Sequence, residues 1–127
     1  MKIQNAISLA LIASAQLTFG QAWINEFHYD NASTDVGEFV EVFVEESFTG
    51  ELNDLKLSLY NGSDDELYGS SDEYLIGDEF TVGDTVPGYG TLYYLYVVLQ
   101  NGPDALAITN NGTPIQFISY ENVVGPA

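Results

Sequence analysis

The sequence predicts an all-β sandwich or barrel on three observations. Segments rich in Val, Ile, Phe, Tyr and Thr recur along the chain. Turn-forming groups separate them at short intervals: Asn61-Gly62, Gly83-Asp84, Pro87-Gly88, Asn101-Gly102-Pro103 and Asn111-Gly112. After the N-terminal leader, no segment carries apolar residues at helical period, and no long internal repeat occurs. Short strands punctuated by turns are the mark of sandwiches and barrels.

Taken in order, about seven strands are expected, at residues 22–28, 38–44, 55–60, 79–82, 91–98, 105–109 and 114–120. In the first, Trp23, Asn25 and Phe27 alternate against Ile24, Glu26 and His28, an untidy division of faces. The third is cleaner: Leu55, Leu57 and Leu59 share one face while Lys56 and Ser58 take the other. Residues 92–99 are almost continuously apolar, which predicts a central strand covered on both faces. Residues 45–54 and 63–73 read as solvated connections. The second of these carries at most a short edge strand, whose acidic side chains discourage edge-to-edge pairing.

The N-terminus reads as a secretory leader. Lys2 supplies a positive start, residues 6–19 are largely apolar, and Gly20, Gln21 and Ala22 offer small residues for cleavage. The division expected is 1–22 signal peptide and 23–127 one domain, with a cut after Gly20 as the alternative. The apolar run falls short of the roughly 20 residues that span a bilayer core of about 30 Å. A secreted chain without a membrane span follows. Disulfides cannot form, because there is no cysteine.

Charge narrows the function. The chain has 19 acidic residues against 2 basic ones, and without the leader Lys56 is the sole fixed cation. Such a surface repels phosphate backbones and anionic lipid, which excludes nucleic-acid binding by this domain. Three readings remain: adaptation to a salty medium, divalent-cation binding, or a cationic partner.

Four blocks carry a family likeness. They are Asn25-Glu26-Phe27-His28-Tyr29-Asp30-Asn31 with Gly37-Glu38-Phe39-Val40-Glu41, then Pro87-Gly88-Tyr89-Gly90-Thr91-Leu92, then residues 100–108 (QNGPDALAI), then residues 112–121 (GTPIQFISYE). In this order they resemble the lamin-tail domain in its secreted, bacterial-type form. The resemblance implies an immunoglobulin-like β-sandwich. Such domains are often joined to larger extracellular proteins, nuclease- and phosphatase-like ones among them. Two departures stand out. Ala105 replaces a common glycine, and the chain stops at residues 124–127 where relatives continue into a further strand. Either the sequence is a fragment, or the sandwich lacks its closing C-terminal strand and exposes a sheet edge.

The loop of residues 30–38 is the foremost candidate site. Calcium takes six to eight oxygens, and Asp30, Asn31, Asp35 and Glu38 supply several, with Glu26 or Glu41 nearby. The spacing is not that of an EF-hand, and a self-capped Asx turn is the plain alternative. Glu26, His28, Glu38 and Glu41 form a weaker acid-base set: His28 is the only histidine, and no nucleophile motif flanks any serine. Tyr89, Tyr93, Tyr94 and Tyr96 suit either glycan stacking or sheet packing. Asn31, Asn61 and Asn111 begin N-x-S/T sequons, glycan acceptors in a secretory pathway that uses them. The expectation is a secreted, non-catalytic binding or adhesion module with an acidic, calcium-ordered loop surface, for an extracellular protein or glycan. The alternatives are an accessory domain of a secreted nuclease- or phosphatase-like hydrolase, and a small carboxylate-dependent hydrolase.

Overall fold

Two antiparallel sheets pack face to face through alternating aliphatic side chains. The structure, a computed structural model, describes residues 21–32, 34–68 and 73–122. The leader (1–20), Ser33, residues 69–72 and the C-terminal stretch 123–127 lie outside the described residues. Nine strands are present among those described: β1 Ala22–His28, β2 Phe39–Glu45, β3 Leu55–Asn61, β4 Glu66–Leu67, β5 Glu73–Leu75, β6 Thr81–Val86, β7 Gly90–Tyr96, β8 Asp104–Asn110 and β9 Thr113–Tyr120. Sheet A has the order β1-β2-β7-β6, and sheet B the order β4-β3-β8-β9 with β5 also paired to β3. The architecture is an all-β sandwich, as the turn spacing predicts.

Period-two alternation decides what is buried. In β2, Val40, Val42 and Val44 enter the core while Phe39, Glu41, Phe43 and Glu45 turn outward. Facing them, Leu55, Leu57 and Leu59 of β3 and Leu106 and Ile108 of β8 are fully buried. Fully burying such a side chain stabilises the fold by about 1.5–3 kcal/mol each.

Three local features differ from the sequence reading, each for a visible reason. In β1 the register slips between Ile24 and Glu26. This bulge at Asn25 sends Ala22, Ile24 and Phe27 inward and Trp23, Glu26 and His28 outward, which is why simple alternation looks untidy. The strand expected at 79–82 starts later, because Ile76–Glu79 form one helical turn, α1. That turn brings Ile76 and Phe80, four residues apart, into the core together. Finally, the strand covered on both faces is β8, not β7. Residues 104–108 are all buried, since Ala105 and Ala107 lie beneath the Tyr60 and Phe117 rings, whose centroids are 5.9 Å apart. The run in β7 is rich in tyrosine, whose ring packs while its hydroxyl edge stays wet, and Tyr96 is 75% exposed.

Within 63–73, the described residues Glu66, Leu67 and Glu73 are strand residues, since β4 and β5 pair with the two ends of β3. The edge of β1 meets sheet B directly: the Ile24 amide donates to Gln116 Oε1 of β9 at 2.6 Å.

Ala22 is 1% exposed opposite Val44, and the Glu45 amide donates to the Gln21 carbonyl at 2.9 Å. A chain beginning at Gln21 should therefore be more stable than one beginning at Trp23 by about 1–2 kcal/mol, the sum of one methyl and one backbone bond. Urea unfolding of the two chains checks this, and equal midpoints would contradict the assigned role of Ala22.

Candidate binding face

The outward side chains of sheet A form rows across its strands. One row is Trp23, Phe43 and Leu92; the next is Glu26, Glu41 and Tyr94; the third is His28, Phe39 and Tyr96. Carboxylates thus occupy a row between two aromatic rows. The rings touch: Trp23 and Phe43 have centroids 4.8 Å apart, and Phe39 lies 6.4 Å from both Tyr94 and Tyr96. Their planes are inclined by 37°, 52° and 58° respectively. The rings of the face are therefore not coplanar.

Glu41 sits at its centre, 5% exposed although it points away from the core. Asn25, at the bulge, donates its side-chain amide to Glu41 Oε1. The Tyr94 hydroxyl donates to the same carboxylate, and that bond pushes the Tyr94 phenol up to about 12; partial burial and the charges of Glu41, Asp84 and Glu26 add to it. Gly83 makes room for this ring, since a Cβ there would fall 2.2 Å from Tyr94 Cε2. Glu26 and Glu41 stand directly opposite each other on neighbouring strands, a like-charge pairing that costs stability. The ion pair found among the described residues, Lys56 Nζ to Glu73 Oε1 at 3.3 Å, belongs to sheet B.

The 30–38 loop adjoins the third row. Its oxygens are committed to the loop itself and to its neighbour. Asp35 accepts from the Asn31 amide at 3.1 Å and from Asn101 Nδ2 at 3.0 Å, which hold its carboxyl below the usual carboxylate range. Glu38 Oε2 accepts from the Leu99 amide at 2.8 Å. Asn31 donates Nδ2 to the Val36 carbonyl at 3.0 Å, and its Oδ1 is 3.2 Å from His28 Nε2. Among the described residues no three His, Asp or Glu side chains gather so that they could hold a metal ion; Asp30, Asp35 and Glu38 form no such group. These bonds tie the described residues of the loop to one another and to Leu99 and Asn101. Asp35, Glu38 and Tyr96 do share the lining of a recess of about 290 Å³ at the end of the face.

Three of the acid-base candidates are engaged in the same way, while Glu26 faces Glu41 across the strands. His28 engages Asn31 and packs on Phe39 at 6.3 Å, Glu38 caps Leu99, and Glu41 is taken by Asn25 and Tyr94. Of the tyrosines, Tyr94 and Tyr96 join the face. Tyr93 turns inward against the core, and Tyr89 is exposed in the β6–β7 turn. A cleft of about 300 Å³, lined by Val44, Phe48, Leu52 and Tyr93 with Glu45 and Glu46, opens elsewhere. The sequon asparagines are turn residues. Asn31 Nδ2, the atom a glycan would occupy, is hydrogen-bonded. Asn61 Oδ1 accepts from the Ser63 amide. Asn111, with φ 47°, turns the β8–β9 hairpin beside Gly112. Trp23, Phe39 and Phe43 escape a site search by sequence motif, yet Phe39-Val40-Glu41-Val42-Phe43-Val44-Glu45 alternates aromatic or acidic with valine throughout. That pattern is the signal for the face.

No family model matches the chain, and neither a curated protein nor a solved structure matches it.

Two outcomes follow. A phenol raised in the folded state contributes stability below its unfolded value of about 10, and loses that contribution as pH rises through its folded value. Tyr68 is also pushed up to about 12, chiefly by burial. The melting midpoint should therefore fall between about pH 10 and pH 12. In a tyrosinate absorbance titration, Glu41→Gln should move one step back toward pH 10, and an unmoved profile would dissociate Tyr94 from Glu41. Separately, calcium at constant ionic strength should leave the midpoint where chelator leaves it. A site filled at a hundredfold excess over its Kd would add about 2.7 kcal/mol, and such a gain would show an ion shell in the 30–38 loop.

Proposed function

We propose that this chain is a secreted, non-catalytic binding module of lamin-tail type, which presents the outer face of sheet A to an extracellular partner. The observation that carries the reading is the row of Glu26 and Glu41 set between two rows of tilted aromatic rings. Tyr96 is exposed and the other rings are half-buried outside the core, and aromatic side chains are the side chains that anchor interfaces. The four family-like blocks support the family part of the reading. They fall in order on β1 with β2, the start of β7, β8 and β9, and bring Phe27 and Tyr29 against Tyr120 at 5.4 and 4.5 Å. A hydrolase reading draws no support from His28, Glu38 and Glu41, whose side chains are engaged by Asn31, by the Leu99 amide, and by Asn25 with Tyr94.

The test is a titration of the chain with a panel of neutral glycans, acidic peptides and basic peptides, followed by backbone amide shifts. At least one member should perturb amides of β2 and β7 saturably, and Tyr96→Ala should weaken it about fivefold or more, the scale of one exposed aromatic contact. Perturbation confined to other surfaces, or none at all, would overturn the assignment of this face.

A further inference from the structure

A cleft opens on the inner side of one end of sheet A, and its reading is independent of the outer face. We propose that this cleft, between the 46–52 connection and the β6–β7 hairpin, binds a small organic amine. The apolar body of the amine lies between Phe48, Leu52 and Tyr93, and its ammonium group lies beside Glu46.

Backbone bonds hold both walls. The Glu46 amide donates to the Tyr89 carbonyl at 2.8 Å, which ties the connection after β2 to the hairpin turn. Within each wall, the Phe48 amide donates to the Glu45 carbonyl and the Tyr89 amide to the Val86 carbonyl, both at 3.0 Å. Gly50 lets the Phe48 ring lie against the connection, since a Cβ there would fall 2.6 Å from Phe48 Cζ.

The inner end of the cleft is apolar. Val44 belongs to the core, and Phe48, Leu52 and Tyr93 are half-buried against it. All four line the cleft. Its volume of about 300 Å³ stands at the lower end of the range for ligand clefts, about 300–1,000 Å³. One ring or a short branched chain suits that space, and replacing water against these side chains by an apolar body is favourable.

The head group follows from charge. The two charged residues of the lining, Glu45 and Glu46, are both acidic. Both also line an adjoining outer recess with Ser47, Gly88 and Tyr89, so they stand where the cleft meets solvent. Glu46 is exposed, and Glu45 Oε2 accepts from the neutral Ser47 hydroxyl at 3.3 Å. Lys56, the one Lys or Arg among the described residues, is bonded to Glu73 on sheet B. An ammonium group answers these carboxylates with charge-assisted bonds. The Thr85 and Thr91 hydroxyls, 3.0 Å apart on the wall of the cleft, offer it further acceptors. A ligand carrying a carboxylate meets repulsion there, and a neutral one gains only the apolar contact. A bare metal ion finds no group of three His, Asp or Glu ligands among the described residues.

The test uses three molecules that share one ring and differ in the head group: phenethylamine, phenethyl alcohol and phenylacetate. Each is titrated into the chain and followed through backbone amide shifts, with enough salt to screen exposed charges. The amine should shift amides of residues 46–52 and 85–86 saturably, and bind about threefold or more tightly than the alcohol, with phenylacetate weakest. Glu46→Gln should weaken the amine about twofold to fivefold and leave the alcohol unchanged. Glu66→Gln, an equal charge change on sheet B, should leave both unchanged. Thr85→Trp places a ring in the cleft from an exposed position on β6, and should abolish the shifts caused by amine and alcohol alike. Alcohol binding as tight as amine binding would overturn the ammonium assignment. Equal weakening of the amine by Glu46→Gln and Glu66→Gln would reduce the preference to bulk charge and overturn it too. Shifts that persist in Thr85→Trp, or no saturable shift at 46–52 and 85–86 with any probe, would overturn the cleft as the site. None of these outcomes bears on the outer face, whose amides lie elsewhere on β2 and β7.

Discussion

The buried carboxylate of Asp104 is the constraint on which the rest of this sandwich depends. It opens β8 at 3% exposure and, among the described residues, shares burial only with the carboxylate of Glu41. Gly62, in the turn after β3, donates its amide to Asp104 Oδ1 at 2.9 Å, and the Tyr68 hydroxyl lies 3.2 Å from Oδ2. Tyr68 and Tyr120 hydroxyls are 2.8 Å apart, and Tyr120 donates to the Gln100 carbonyl at 2.9 Å. Burial raises both phenols, so they stay neutral hydroxyl partners at neutral pH. Bonds to a charged group contribute about 1.5–3 kcal/mol, and a buried carboxylate stripped of them is strongly destabilising. The network clasps the β3–β4 connection, the segment before β8 and the end of β9. Through the Tyr120 ring, packed on Phe27 and Tyr29, it reaches sheet A. A chain without cysteine closes this end of its sandwich with hydrogen bonds and rings.

The core and this clasp hold the sheets together from the inner side, and the outward side of sheet A packs separately. There Phe39, Phe43, Tyr94 and Tyr96 stand around Glu41, with Tyr96 the most exposed of them. Elsewhere the acidity is spread over turns and edges such as Asp64, Asp65 and Glu66, where water and salt screen it. On the face, rings exclude water around Glu41 and the same charge acts over a lower dielectric. Carboxylates that look interchangeable in composition therefore differ in consequence. Those on loops lie in water, whereas Glu41 lies buried among rings.

Strand order along the chain is legible from sequence because valine and leucine alternation is strict in β2 and β3. It fails where backbone geometry intervenes. The Asn25 bulge inverts the faces of β1 halfway along, and only the partner strand reveals it. The 92–99 run misleads because a tyrosine counts as apolar but leaves its hydroxyl in water, while Ala105 and Ala107 hide by being small. Asp30, Asn31, Asp35 and Glu38 have the composition of an ion loop, but hydrogen-bond partners such as Leu99 and Asn101 are distant in sequence. Asp104 reads as an ordinary turn residue after Pro103. Its burial depends on Tyr68 and Tyr120, whose approach no local pattern encodes.

The clasp is tested most directly by a double-mutant cycle on its central bond, Tyr68→Phe and Tyr120→Phe, singly and together, by urea unfolding. Each change removes one hydroxyl and keeps the ring, so the packing on Phe27 and Tyr29 persists. Coupled hydroxyls should give an interaction energy of at least about 0.5 kcal/mol, with the second deletion less damaging once the first is made. Strict additivity, within about 0.3 kcal/mol, would mean that the two hydroxyls act independently and that rings alone close this end of the sandwich.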